Sequence, residues 1–156
     1  MQTLLAVDLG LKTGLALYQE DGRLRWYRSH NFGSVTRLRR GVGGIVNTLP
    51  GLAWLILEGD TTLGDIWERE ALRRQAAVRR VTPELWRQRL LYPREQRSGA
   101  RAKQHADELA RQVIAWSGAS RPTALRHDTA EAILIGLWGV LEVGWLAQLP
   151  PELRRN

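Results

Sequence analysis

Four carboxylates stand at the ends of apolar stretches. Asp8 closes "TLLAVD", Glu58 closes "LAWLILE", and Asp128 and Glu131 open "HDTAEAILIGLWGVLE". A spacing of three puts Asp128 and Glu131 on one helix face, where like charges repel. Either they cap a helix and face water, or they hold a cation. Any one acid at an element's end is ordinary, because charges sit where water reaches. The set carries more weight than its members. Without cysteine or a histidine cluster, gathered carboxylates suit a hard, oxygen-seeking ion, Mg²⁺ or Mn²⁺. Such an ion beside basic surface points to phosphodiester chemistry. "DLGLKTG" adds Gly10 and Gly14 around a turn whose backbone could approach a phosphate or metal. That signal is weak, shared by nucleases and by sugar-kinase/actin-type ATPases, and the chain has room for only one of the two domains such ATPases need.

The elements that must position these acids follow from pattern. "TLLAVDL" is mostly apolar and reads as a central buried strand ending near Asp8. "GLKTG" reads as a turn and "LALYQE" as a second strand. The Asp-Gly of "EDGR" signals a hairpin into a third, alternating strand, "RLRWYRSH". A helix capped by Ser34 and stopped at Pro50 follows, then the apolar strand "LAWLILE". After the connection "GDTTLG" come a helix from about Asp65 to Gln75, a short strand "AVRRV", and a helix with Thr82 as cap and Pro83 first. "YPREQRSGA" is a basic loop, "RAKQHADELARQVIAW" an amphipathic helix, and "SGASRPT" a break before the last helix. The order predicts an α/β fold: a mixed five-stranded sheet, three antiparallel strands and then parallel ones, flanked by helices. Residues 1–150 read as one domain, and residues 151–156 as a tail expected to fray.

The totals bound the function. A net charge of +7 attracts polyanions without proving that one is bound. Only Lys12 and Lys103 among the 23 basic residues are lysines, a bias that a GC-rich genome alone would produce. No apolar run reaches the ~18–20 residues of a membrane span, and the opening lacks the basic leader of a signal peptide. With no cysteine, disulfides and thiolate sites are excluded. These features lead to an expectation of a cytoplasmic location.

With these residues in place, the chain resembles the RuvC-like Holliday junction resolvases of the RNase H-like fold. "LLAVDLGLKTGLALY" is similar to that family's opening strand-turn-strand with its first catalytic aspartate, here Asp8. "AWLILEGD" is similar to its second motif, ending in Glu58, and "HDTAEAILIG" to its last, with Asp128 and Glu131. The resemblance implies an RNase H-like nuclease domain whose Asp8, Glu58, Asp128 and Glu131 hold two Mg²⁺ or Mn²⁺ ions. Water would be activated at one ion and the leaving 3′-oxygen stabilised at the other. Lys103 is carried over as the basic residue near the scissile phosphate. Some members have histidine at the first last-motif position, and His127 lies next door as a further candidate ligand, general base or bystander. The implied activity is a crossover junction endodeoxyribonuclease. It would resolve four-way DNA by paired symmetric nicks with 5′-phosphate and 3′-hydroxyl ends, and would serve DNA recombination and repair. Two symmetric cuts imply a two-fold homodimer, with Ile66, Trp67 and Leu72 as contacts unless they face the core. Two departures stand out: Glu131 replaces the family's usual aspartate, and the short chain is closer to the compact phage or virus-type branch.

Among the Arg-rich stretches, the one before the amphipathic helix offers Arg94, Arg97 and Arg101 as phosphate contacts, with Lys12 and Lys103 as further DNA contacts. Trp86 either stacks on an unpaired base or packs inward. Two rival readings are a YqgF-like RNase-H-fold nuclease of ribosomal RNA processing and a non-catalytic basic DNA-binding module. The first usually lacks a glutamate ending the fourth strand.

Overall fold

The computed structural model describes residues 1–154. Five strands, β1 (Thr3–Asp8), β2 (Lys12–Gln19), β3 (Leu24–Asn31), β4 (Leu52–Glu58) and β5 (Ala77–Val81), form one sheet in the order β3-β2-β1-β4-β5. β1, β2 and β3 run antiparallel, whereas β1/β4 and β4/β5 are parallel. This is the mixed α/β sheet that the sequence predicts. α1 (Val35–Asn47) and α2 (Thr61–Arg73) cover one face. α3 (Pro83–Leu90), α4 (Gly99–Ser117) and α5 (His127–Glu142) cover the other.

β1 is buried on both faces, with Leu4 and Ala6 toward α5 and Leu5 and Val7 toward α1 and α2. The period of two therefore turns Asp8 to the α5 side. Ile133, Leu134, Ile135 and Leu137 of α5 are completely buried, and each such side chain contributes roughly 1.5–3 kcal/mol. α5 can lie flat on the sheet because its contacts are small. A Cβ at Gly136 would overlap the Tyr18 ring, and one at Gly139 would press on Ile56. The Tyr18 hydroxyl donates to the Ile133 carbonyl across this contact.

Helix starts follow side-chain caps. Ser34, Asp60, Thr82 and Ser98 each accept a hydrogen bond from the backbone N–H three residues on. Asp60 moves the start of α2 to Thr61, ahead of the expected Asp65, because its carboxylate takes the Leu63 N–H at 2.9 Å.

Two expectations are corrected, and for Trp67 the core alternative holds. "GLKTG" is not all turn: Lys12, Thr13 and Gly14 pair with β3 as part of β2. The end expected to fray is packed through Pro151–Leu153, a 3₁₀ turn whose Leu153 is fully buried; residues 155 and 156 lie outside the described residues. Trp67, offered as a dimer contact, is wholly inside the core, while Ile66 is half-buried and Leu72 exposed.

Gly14 is the tightest of the contacts that set the position of α5. A Cβ there would overlap the Asp128 carbonyl, which is backbone and cannot step aside as a flexible side-chain end would. Gly14→Ala is expected to destabilise the protein by roughly 1–3 kcal/mol, the usual cost of forced overpacking, read as a lower urea midpoint. An unchanged midpoint would show that the helix start is free to shift.

Candidate metal centre

The strand registers align one row across the sheet. Ser29 pairs with Gly14, Gly14 with Asp8, Asp8 with Glu58, and Glu58 with Val81. Asp8 and Glu58 thus leave neighbouring parallel strands side by side at their C-terminal ends. α5 begins above Gly14, and one turn in, Glu131 reaches the same place. Single carboxylate oxygens of Asp8, Glu58 and Glu131 all lie within 4.8 Å of one another. Glu58 is buried, and Asp8 and Glu131 are partly so.

Crowding and burial act together on protonation. Burial raises the Asp8 pKa from its ordinary 3.8 to about 9, helped by the charges of Glu131 and Glu58, a hydrogen bond with Glu58, and the charge of Asp128. Burial also raises Glu58, against the hydrogen bond from Asp8 and the nearby Arg87, which pull it down. Without a cation, then, Asp8 keeps a proton and shares it toward Glu58. The donors are all oxygens and one is buried, a set that fits a hard divalent ion able to replace that proton.

The last motif divides its two acids. Glu131 joins the cluster, whereas Asp128 is outside the three-acid group. Its Oδ2 accepts from Ser29 Oγ at 2.8 Å and its Oδ1 from the Thr129 N–H at 2.7 Å. It remains close enough for its charge to raise Asp8. Two basic groups attend Glu131: His127 Nε2 at 2.8 Å and Arg87 Nη2 at 3.6 Å from Oε1.

No known family matches the chain by sequence, and no curated protein matches it either. Solved structures do match. RuvC of Thermus thermophilus aligns over 92% of this chain and 96% of its own, with a TM-score of 0.64 at 15% identity. RuvC of the same organism in complex with Holliday junction substrate aligns over the same shares, with a TM-score of 0.63 at 15% identity. The chain has a RuvC-like fold.

In this RuvC-like arrangement, the remaining sequence candidates scatter. Lys103 is exposed on the first turns of α4, and Lys12 is exposed at the start of β2. Arg94, Arg97 and Arg101 line one recess of about 430 Å³ with Glu95, Gln104 and His105. Trp86 corrects an expectation: it is fully buried against the α4/α5 core and has no face for a base. Trp86 and Leu90 share the inward side of α3 at helical spacing, which turns the next residue, Arg87, toward the acids. The sequence reading also missed Ser29. Its signal is visible only in the register, which places it two strands from Asp8 in the same row. Gly14, read as a site for phosphate or metal approach, is instead filled by the Asp128 carbonyl.

The raised Asp8 pKa fixes a sign. The folded chain keeps a proton that the unfolded chain releases above about pH 4. In chelator, stability should therefore fall as pH rises from about 4 to about 9 and level off beyond. Asp8→Asn should flatten this slope and raise the melting temperature at pH 8 by roughly 5 °C or more, while removing the stabilisation given by Mn²⁺. Melting curves against pH, with chelator or with Mn²⁺, check this. A variant as pH-dependent and as metal-stabilised as the parent would contradict the assignment.

Proposed function

We propose that the chain is a metal-dependent endonuclease that resolves four-way DNA junctions by paired symmetric nicks, leaving 5′-phosphate and 3′-hydroxyl ends. One observation carries this reading: three carboxylates from β1, β4 and α5 converge within 4.8 Å at one end of a RuvC-like sheet. RuvC, the structural neighbour, is known bound to Holliday junction substrate. The basic balance of +7 supports a polyanionic partner. The inclusion of Glu58 favours a junction nuclease over the YqgF-like alternative.

Asp8, Glu58 and Glu131 would hold Mg²⁺ or Mn²⁺, and we assign two ions, with Asp128 joining when both are bound. Bound divalent ions supply a more acidic water and offset the negative charge that builds at phosphorus. The protein's own part is geometric. Strand pairing fixes the backbones of Asp8 and Glu58 side by side, so their carboxylates start from adjacent positions. Glu131 is held by the His127 ring at 2.8 Å and by the Arg87 guanidinium, whose positive charge offsets repulsion among the acids until ions arrive. Ser29 keeps Asp128 turned toward β3, beside the cluster. Lys103, Lys12 and the Arg94, Arg97 and Arg101 recess would take backbone phosphates, positioning DNA without reading its sequence. Two coordinated cuts require a homodimer with one site in each subunit.

A labelled four-way junction incubated with the protein and Mg²⁺ should show paired nicks at symmetric positions. Asp8→Asn and Glu58→Gln should each reduce cutting on the order of 10³-fold, the scale of losing one preorganised charge-stabilising group, while junction binding is kept. Preferential cutting of structured RNA would favour the YqgF-like reading. Binding without cutting in any divalent ion would favour the non-catalytic module.

A further inference from the structure

The outer edge of β3 faces the segment 118–126 that leads into α5, and a groove of about 530 Å³ lies between them. Its walls carry Arg25 and Arg28 from the strand and Arg121 and Arg126 from the segment, all at least partly exposed. At Ser29 and Arg126 the groove meets a recess of about 230 Å³ lined by Lys12 and Asn31. Ser29 is the residue that donates to Asp128, so the inner end of this basic track adjoins the acid cluster.

Position, more than pairing, sets these residues apart: Arg39 and Arg40 on α1 also have no carboxylate partner among the described residues, but they line no shared recess with other cations. Arg73 and Arg74 meet Glu70, Arg79 and Arg89 meet Glu142, Arg80 meets Asp65, and Arg111 meets Asp107. Among the described residues, no carboxylate pairs with Arg25, Arg28, Arg121, Arg126 or Lys12. Four such cations along the groove, with Lys12 in the adjoining recess, repel one another and focus a positive field there. The walls are also held at a fixed separation. The Tyr27 hydroxyl donates to the Ser120 carbonyl, the Leu24 N–H donates to Ser117 Oγ at 3.0 Å, and the Arg23 guanidinium lies 4.2 Å from the Trp116 ring centre.

We infer that this groove is a second nucleic-acid contact, which grips the phosphate backbone of a DNA arm as it leaves the acid cluster along β3. The inference deepens the nuclease reading and rests on it for the identity of the arm. From Arg25 to Asn31 the strand spans about 20 Å, the rise of about six nucleotides in a duplex. Guanidinium groups match phosphate oxygens in a planar, two-pronged way. The rival occupant, an extended peptide adding to the free edge of β3, is disfavoured by the same side chains, since charged residues on an edge strand oppose strand addition.

The test removes two charges from the outer end of the groove, away from the acids, with Arg25→Gln and Arg121→Gln together. A control removes two exposed charges from α1, on the opposite face of the sheet, with Arg39→Gln and Arg40→Gln. Binding of a fluorescent four-way junction is measured in chelator over a salt series, so that no cutting is required. The groove pair should weaken binding about 10-fold at low salt and reduce the salt slope by about 2, one for each phosphate that is no longer neutralised. The control pair should change both much less. Equal effects from the two pairs would overturn the inference. So would a poly-glutamate peptide that loses affinity with the groove pair when the junction does not. A parent protein that binds through the groove yet never nicks DNA would sink the nuclease reading alone.

Discussion

Gly14 has no side chain, and the carbonyl of Asp128 occupies the space that one would fill. That contact decides how close the first turn of α5 comes to the sheet, and so whether Glu131 reaches Asp8 and Glu58. The same approach is repeated further along the helix, where Gly136 meets Tyr18 and Gly139 meets Ile56. Apolar burial pulls α5 down; the glycines set the depth at which it stops. The acid cluster is a by-product of this seating. It cannot be relaxed locally without disturbing the largest core layer.

The seating imposes an electrostatic cost. Three carboxylates share one small region, one of them buried, and Asp8 responds by keeping its proton up to about pH 9. Arg87 and His127 relieve part of the repulsion at Glu131. Ser29 and the Thr129 N–H do the same for Asp128 by hydrogen bonding. His127 and Thr129 sit beside the acids they serve in the chain, whereas Arg87 and Ser29 are far from them in sequence. The four come from α3, α5 and β3, which explains why the cluster depends on the whole fold. A divalent ion would satisfy the oxygens together, and its binding would be linked to loss of the Asp8 proton.

Much of this was legible from residue patterns. Apolar strands that end in an acid placed Asp8 and Glu58 at strand ends, and strand order then made them neighbours. What stayed hidden was phase and packing. Gly14 looked like a turn residue because glycine in sequence does not distinguish a bend from a close approach by another element. In α3, an eight-residue helix, exposed Leu85 blurs the apolar face, so nothing local says that Trp86 turns in and Arg87 turns toward the acids. Asp128 and Glu131 share a helix face, yet the first turn is long enough to lead one to β3 and the other to β1 and β4. The arginines along β3 form no distinct run in sequence, and only the fold sets segment 118–126 opposite them.

If the seating of α5 creates a cage for divalent ions, anomalous diffraction from crystals grown with Mn²⁺ will show it. A manganese peak bonded to oxygens of Asp8, Glu58 and Glu131 is the expected result. Density showing those three side chains close together with no manganese between them, at a concentration that fills sites elsewhere on the molecule, would contradict it.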